Sequence, residues 1–247
     1  MKNIKTMFDK QGYVAVKRFI DEQELGELRR ALTRFINETV PNLPNELVYY
    51  EDKADVNTLK QVQKLYEYDD YFLTLAQSKK VMELAEALLG GEVELKNMQY
   101  FNKVPYSGKG TPAHQDGYYF KIKPQQAVTM WLSLDYADAE NGAVCYIPGS
   151  HLLGMRPHNV TNTLGFSQGI ANWSNTDQDK EVQMTAEPGD ILVHHSLTVH
   201  RANNNLSNRH RQSIGFIFYR KGVQEDEQAH ATYKQELTRR LEKQGKI

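Results

Sequence analysis

The chain has 247 residues, 40% of them hydrophobic and 25% charged, with a net charge of −1 and one cysteine. That balance is ordinary for a soluble globular protein with a sizeable core, and it gives no electrostatic reason to expect nucleic acid or a polyanionic surface as partner. The single cysteine, Cys145, excludes an internal disulfide and a cysteine-rich zinc site.

In chain order, the first strong element begins with Asp21 and Glu24, a D-x-x-E capping pattern ahead of Leu25, Leu28, Leu32, Phe35 and Ile36. Their spacing draws one apolar stripe and predicts a helix over residues 21–36. A second helix runs from a Ser78 cap to the Gly90-Gly91 stop and turns Val81, Leu84 and Leu88 inward. From Val93 onward the pattern changes to short strands at 98–101, 127–134, 143–147, 191–193 and 213–219, punctuated by Gly, Pro and Asn. Cys145 falls within one of them and reads as buried strand. Residues 152–180 are rich in Asn, Thr, Ser and Gly but carry Phe166 and Trp173, so this long connection is expected to cover a substrate. After Arg220, Ala229, Tyr233, Leu237 and Leu241 recur every four residues in a terminal helix. Its narrow stripe packs on its own domain or on a second subunit, which leaves monomer and homodimer open.

These elements predict a mostly β fold with flanking helices, a double-stranded β-helix of the jelly-roll, cupin-like kind, formed as one domain over 1–247. No apolar run reaches the roughly 18 residues of a membrane span, and residues 1–10 lack the apolar centre of a signal peptide. A cytoplasmic, reducing location without membrane contact is therefore expected.

The chemistry concentrates around His114-Gln115-Asp116, directly before Tyr118, Tyr119 and Phe120. On an extended strand the period of two would put His114 and Asp116 on one face, with Gln115 pointing away. A further imidazole would complete the facial triad of non-haem Fe(II) oxygenases, which keeps the opposite coordination positions free. His194, His195 and His200 compete to supply it. Taken alone, an H-x-D triplet is more often a solvated turn. What adds weight is Arg211, eleven residues after His200 at the start of a strand, whose planar, always-charged fork can clamp a carboxylate. His151 reads as a structural turn residue, and His158, His210 and His230 as exposed.

Five blocks carry a resemblance. They are H-Q-D-G-Y-Y-F from His114, W-L-S-L-D from Trp131, E-N-G-A-V-C-Y-I-P-G-S-H from Glu140, E-P-G-D-I-L-V-H-H from Glu187, and H-R-A-N-N-N-L-S-N-R-H-R from His200 to Arg211. Together with F-D-K-Q-G-Y-V-A-V from Phe8, they resemble the phytanoyl-CoA dioxygenase family of Fe(II)- and 2-oxoglutarate-dependent oxygenases, over about residues 8–220. The resemblance implies that His114, Asp116 and His200 ligate iron and that Arg211 partners the distal carboxylate of 2-oxoglutarate. Arg209 competes for that role from the polar turn at 207–209. Trp131 matches a residue packed beside the co-substrate, and Lys60 in T-L-K-Q-V-Q one that reaches it; Gln115 joins them as a candidate contact. The family's frequent small hydroxyl residue two positions after the second histidine is here Ala202. The implied activity consumes 2-oxoglutarate and O2, releases succinate and CO2, and hydroxylates a C–H bond of a small molecule. A jelly-roll metal- or small-molecule-binding protein without turnover is the alternative, and it has no need of the carboxylate-clamping Arg211.

Overall fold

The capping pattern at Asp21 forms as expected. In the computed structural model, which describes residues 2–106 and 108–246, the Asp21 carboxylate accepts from Glu24 N and the Glu24 carboxylate accepts from Asp21 N, each at 2.9 Å. The helices are α1 (Lys2–Gln11), α2 (Glu22–Arg34), α3 (Leu65–Tyr68), α4 (Asp70–Ala76), α5 (Lys79–Leu89), α6 (Gly117–Phe120), α7 (Asn175–Gln178) and α8 (Glu227–Lys243). Helix α5 buries Val81, Leu84 and Leu88 and ends at Gly90 in the left-handed region, φ 70°. Ser78 is extended there, but its hydroxyl makes no capping hydrogen bond.

The strands are β1 (Tyr13–Val16), β2 (Val48–Tyr50), β3 (Leu59–Val62), β4 (Val93–Lys103), β5 (Thr111–His114), β6 (Ile122–Lys123), β7 (Ala127–Ser133) and β8 (Val144–Tyr146). They continue with β9 (His158–Thr163), β10 (Phe166–Ile170), β11 (Val182–Gln183), β12 (Ile191–His195), β13 (His200–Ala202), β14 (Arg211–Arg220) and β15 (Gln224–Glu225). An antiparallel sheet of order β1-β12-β7-β14-β4-β3-β2 faces a smaller one of order β11-β8-β13-β5. This is the jelly roll with flanking helices, and its two inner faces hold the site.

Strand β7 shows why so few polar residues punctuate the larger sheet. Every residue of A-V-T-M-W-L-S is buried, because both faces are covered. Val128, Met130 and Leu132 point outward into a core shared with Leu28, Leu32 and Phe35 of the first helical segment and Leu84 and Leu88 of α5. Thr129 and Trp131 point the other way, into the space between the sheets. The register carries that inner face across the sheet: Thr129 lies beside His194 on β12, and Trp131 beside Leu192 and Gly215.

The 152–180 connection is ordered as the β9–β10 hairpin followed by α7. Gly165, at φ 82°, makes the tight turn at the hairpin tip, where an added Cβ would run into the Gln61 side chain. Among the described residues no helix is long and apolar enough to cross a membrane.

Candidate metal centre

On the smaller sheet, Tyr146, His200 and His114 are consecutive partners across β8, β13 and β5, so their side chains form one row. Asp116 reaches the same place by a different route from the one its spacing predicts. Strand β5 ends at His114, and Asp116 is in the right-handed helical region, φ −58° and ψ −33°, opening the short turn of α6. Strand alternation therefore ends at His114, and a backbone turn brings the Asp116 carboxylate inward. That turn is held by Gly117 N donating to Ser196 O at 2.8 Å.

One ligand atom each from His114, Asp116 and His200 lies within 4.8 Å of the other two. Asp116 Oδ1 is 3.4 Å from His114 Nε2 and 3.6 Å from His200 Nε2. The other nitrogen of each ring is spoken for: His114 Nδ1 is 2.8 Å from Pro112 O, and His200 Nδ1 is 3.0 Å from Thr198 O. A carbonyl only accepts, so both Nδ1 atoms carry a hydrogen, which turns both Nε2 atoms toward the Asp116 oxygen as the ligating positions. Burial, reinforced by the neighbouring His114 and His194 rings, holds His200 well below the usual imidazole range, hence neutral. The Asp116 carboxyl is held well below the carboxylate range in spite of its burial, with the His194 ring and the Thr129 hydroxyl both approaching its Oδ2. Two imidazoles and one carboxylate on one side of a point form a donor set suited to a ferrous ion with open coordination positions.

The site opens on a cavity of about 380 Å³ whose lining includes His114, Asp116, His200, Thr129, Trp131 and Arg211. Arg211 opens β14, is 5% exposed, and stacks its guanidinium 5.2 Å from the centre of the Trp131 ring. Its Nε has no hydrogen-bond partner, and among the described residues no carboxylate is within ion-pair distance of it. Burial lowers its pKa to about 10, against the opposing pull of Asp135 and Tyr146, so it stays charged at neutral pH. A buried cation without a partner is costly, and an anionic ligand entering the cavity would relieve that cost. Arg209 is occupied elsewhere: it pairs with Asp138 at 2.7 Å outside the cavity.

Two expected contacts are not brought to the cavity lining. Gln115, fully buried, spends its amide on backbone, donating to Gly154 O and Leu197 O and accepting from Arg156 N. Lys60 lies buried on β3 and ion-pairs with buried Glu51 at 2.8 Å. Of the competing histidines, His194 faces inward and touches Asp116, whereas His195 points to the opposite side, beside Phe8 and His151. His158, expected to be exposed, stacks 4.4 Å from Tyr118 and accepts from Gln115 N, and His230 is half-buried in the cavity wall. Their sequence neighbourhoods are polar, which hid both. Ala202 lines the cavity opposite its strand partner Thr111, whose side chain supplies a hydroxyl to the same wall.

Two elements roof the cavity. The β9–β10 hairpin contributes Phe166, whose ring centre is 5.3 Å from that of His114, while Trp173 anchors its base against Ala113, Ile147, Ile170 and Val199. Helix α8 turns Tyr233, Leu237 and Leu241 onto the same cavity, so its stripe packs on its own chain. Tyr233 hydrogen-bonds Ser167 and lies 6.0 Å from Tyr119. The four-residue spacing signals that stripe, but not what it would cover.

A model of the family Phytanoyl-CoA dioxygenase (PhyH) matches residues 8–213. The peroxisomal phytanoyl-CoA dioxygenase of Bos taurus is 24% identical over 223 residues, covering 85% of this chain and 66% of that protein. The chain thus spans just under two thirds of the length of that relative. A probable alpha-ketoglutarate-dependent hypophosphite dioxygenase of Stutzerimonas stutzeri is 26% identical over 210 residues, covering 83% and 73%. Among solved structures, the non-heme alpha ketoglutarate dependent carbocyclase SnoK superposes with a TM-score of 0.74 at 21% identity, covering 90% of this chain and 85% of that one. EctD from S. alaskensis, solved with 2-oxoglutarate and 5-hydroxyectoine, gives 0.73 at 17% identity, covering 89% and 76%.

Proposed function

The chain belongs to the phytanoyl-CoA dioxygenase family, and on that footing we propose that it is an Fe(II)- and 2-oxoglutarate-dependent dioxygenase hydroxylating a C–H bond of a small molecule. The observation that carries this reading is the convergence of His114 Nε2, Asp116 Oδ1 and His200 Nε2 on one point in a cavity that also holds the unpaired Arg211. Bound iron with its co-substrate supplies the oxidation: 2-oxoglutarate and O2 become succinate and CO2, and one oxygen atom enters the substrate C–H bond.

The chain's own residues do the rest. His114, Asp116 and His200 would hold the ion and leave the cavity side free. Arg211, stacked on Trp131, would hold the distal carboxylate of the co-substrate with its planar pair of donors. Phe166, Tyr119 and Tyr233 supply aromatic walls beside the reacting centre. A binding module without turnover would leave the buried charge of Arg211 unexplained. The single cysteine is buried on β8, its thiol pushed up to about 11 by burial, and the net charge is near zero. Both suit a reducing cytoplasm and a small-molecule substrate met by a monomer or homodimer of this one domain.

The test is succinate formation from 2-oxoglutarate across a substrate panel with added Fe(II). Even turnover uncoupled from any substrate supports the class, and none with the iron-loaded protein removes it. Lys60 provides a sharper internal contrast. Lys60→Met strands the Glu51 charge in the interior and is expected to destabilise the fold by about 3 kcal/mol in denaturant melts, leaving 2-oxoglutarate affinity near wild type. A selective loss of co-substrate affinity without that destabilisation would return Lys60 to the site.

A further inference from the structure

The two oxygens of Asp116 face different ways. Oδ1 looks toward the Nε2 atoms of His114 and His200. Oδ2 accepts a hydrogen bond from the Thr129 hydroxyl and lies 3.0 Å from His194 Nε2. On its far side, His194 Nδ1 is 3.0 Å from the Tyr146 hydroxyl. An ionised carboxylate only accepts, so Nε2 of His194 carries a hydrogen, and in the neutral ring Nδ1 receives the Tyr146 O–H. This tautomer is opposite to that of His114 and His200, whose hydrogens sit on Nδ1. Three imidazoles surround one carboxylate, with ring centres 4.1 Å apart for His114 and His200 and 4.2 Å for His194 and His200. Two of them present lone pairs and the third presents a donor.

Resting on the iron reading above, we infer that His194 is a positioning residue that, together with Thr129, locks Oδ2 so that Asp116 offers the metal Oδ1 alone. A free carboxylate can swing and bind through both oxygens, which would consume a coordination position needed by the co-substrate or O2. Here Oδ2 is held by two donors on β7 and β12, adjacent strands of the larger sheet. The His194 ring is itself held, since its Nδ1 meets Tyr146, and Tyr146 is stacked 4.6 Å from Tyr13. The ligand row thus comes from the smaller sheet and the lock from the larger one.

The test uses Co(II) as a probe that needs no turnover, with binding titrated on the full chain and coordination read from the visible d–d absorption. Abolition of Co(II) binding by His114→Ala is the control that validates the metal reading separately. His194→Phe keeps a ring and removes the donor; it is expected to weaken Co(II) binding about 10- to 100-fold and to shift the d–d spectrum toward higher coordination. His194→Gln restores an N–H near Nε2 and is expected to recover most of both signals. Thr129→Val removes the other donor at nearly constant volume, and it reads the same lock if the Phe variant does not fold. With the control in place, wild-type affinity and spectrum in His194→Phe and Thr129→Val would overturn the proposal. So would a His194→Gln variant as deficient as His114→Ala, because His194 would then be a ligand.

Discussion

His114→Ala is expected to abolish Fe(II) binding and succinate formation while leaving a folded protein. The residue supplies one of three converging ligand atoms, and loss of a ligand should exceed the 10- to 100-fold that removal of an outer partner typically costs. Its structural cost is bounded. The ring borders a cavity rather than filling a core, so truncation extends existing space and orphans one hydrogen bond to Pro112 O, a loss of roughly 1–3 kcal/mol. Circular dichroism and a denaturant melt report the fold; anaerobic Fe(II) titration reports the site. Unchanged iron affinity in a folded variant would remove His114 from the centre. The parallel His195→Ala variant, on the opposite side of β12, should bind iron as the wild type does.

Arg211→Lys separates geometry from charge. Both side chains are cationic, but only arginine presents two coplanar donors to a carboxylate, and lysine could not reproduce the stacking on Trp131. Losing one charge-assisted hydrogen bond is worth about 1.5–3 kcal/mol, or roughly tenfold to hundredfold in 2-oxoglutarate affinity. Iron binding should barely change. The measurement is an anaerobic titration of the Fe(II) protein with 2-oxoglutarate, followed by its metal-to-ligand visible absorption. Arg209→Lys, whose partner is Asp138 outside the cavity, is expected to titrate like wild type. If Arg209→Lys weakened binding and Arg211→Lys did not, the clamp would be on the wrong arginine.

The readable parts of the sequence were those where local chemistry decides. The Asp21 cap, the α5 stripe and the short strands follow from spacing within a few residues of each other, whereas the placement of Trp131 came from the family resemblance, since its strand is buried on both faces. The arrangement of the centre is set at longer range. The meeting of His114 and His200 is a cross-strand register between β5 and β13, and no local pattern encodes it; the family resemblance supplied it. Asp116 misled the local argument because a turn, held from Ser196, replaces the strand after His114. His194 could have been oriented by parity, since Ile191 and Val193 belong to the outer core and leave Leu192 and His194 facing inward. Its hydrogen-bond partner could not, because that requires the position of the opposite sheet. Glu51 claims Lys60 for the same reason: a buried partner is visible only once β3 is placed.

The row formed by His114 and His200 also bears on how the chain is held together. They are 86 positions apart in the sequence (200 − 114), yet the two imidazoles are neighbours on one ladder. An ion gripped by both acts as a removable crosslink, closing a long loop whose entropic cost has already been met by folding. The unfolded chain presents no such grip, so the binding free energy of the metal is added to the folding free energy and grows with the free metal concentration. On the proposed iron reading, a metal-starved form would be the more readily unfolded, so that metal supply would set the protein's stability as well as its activity.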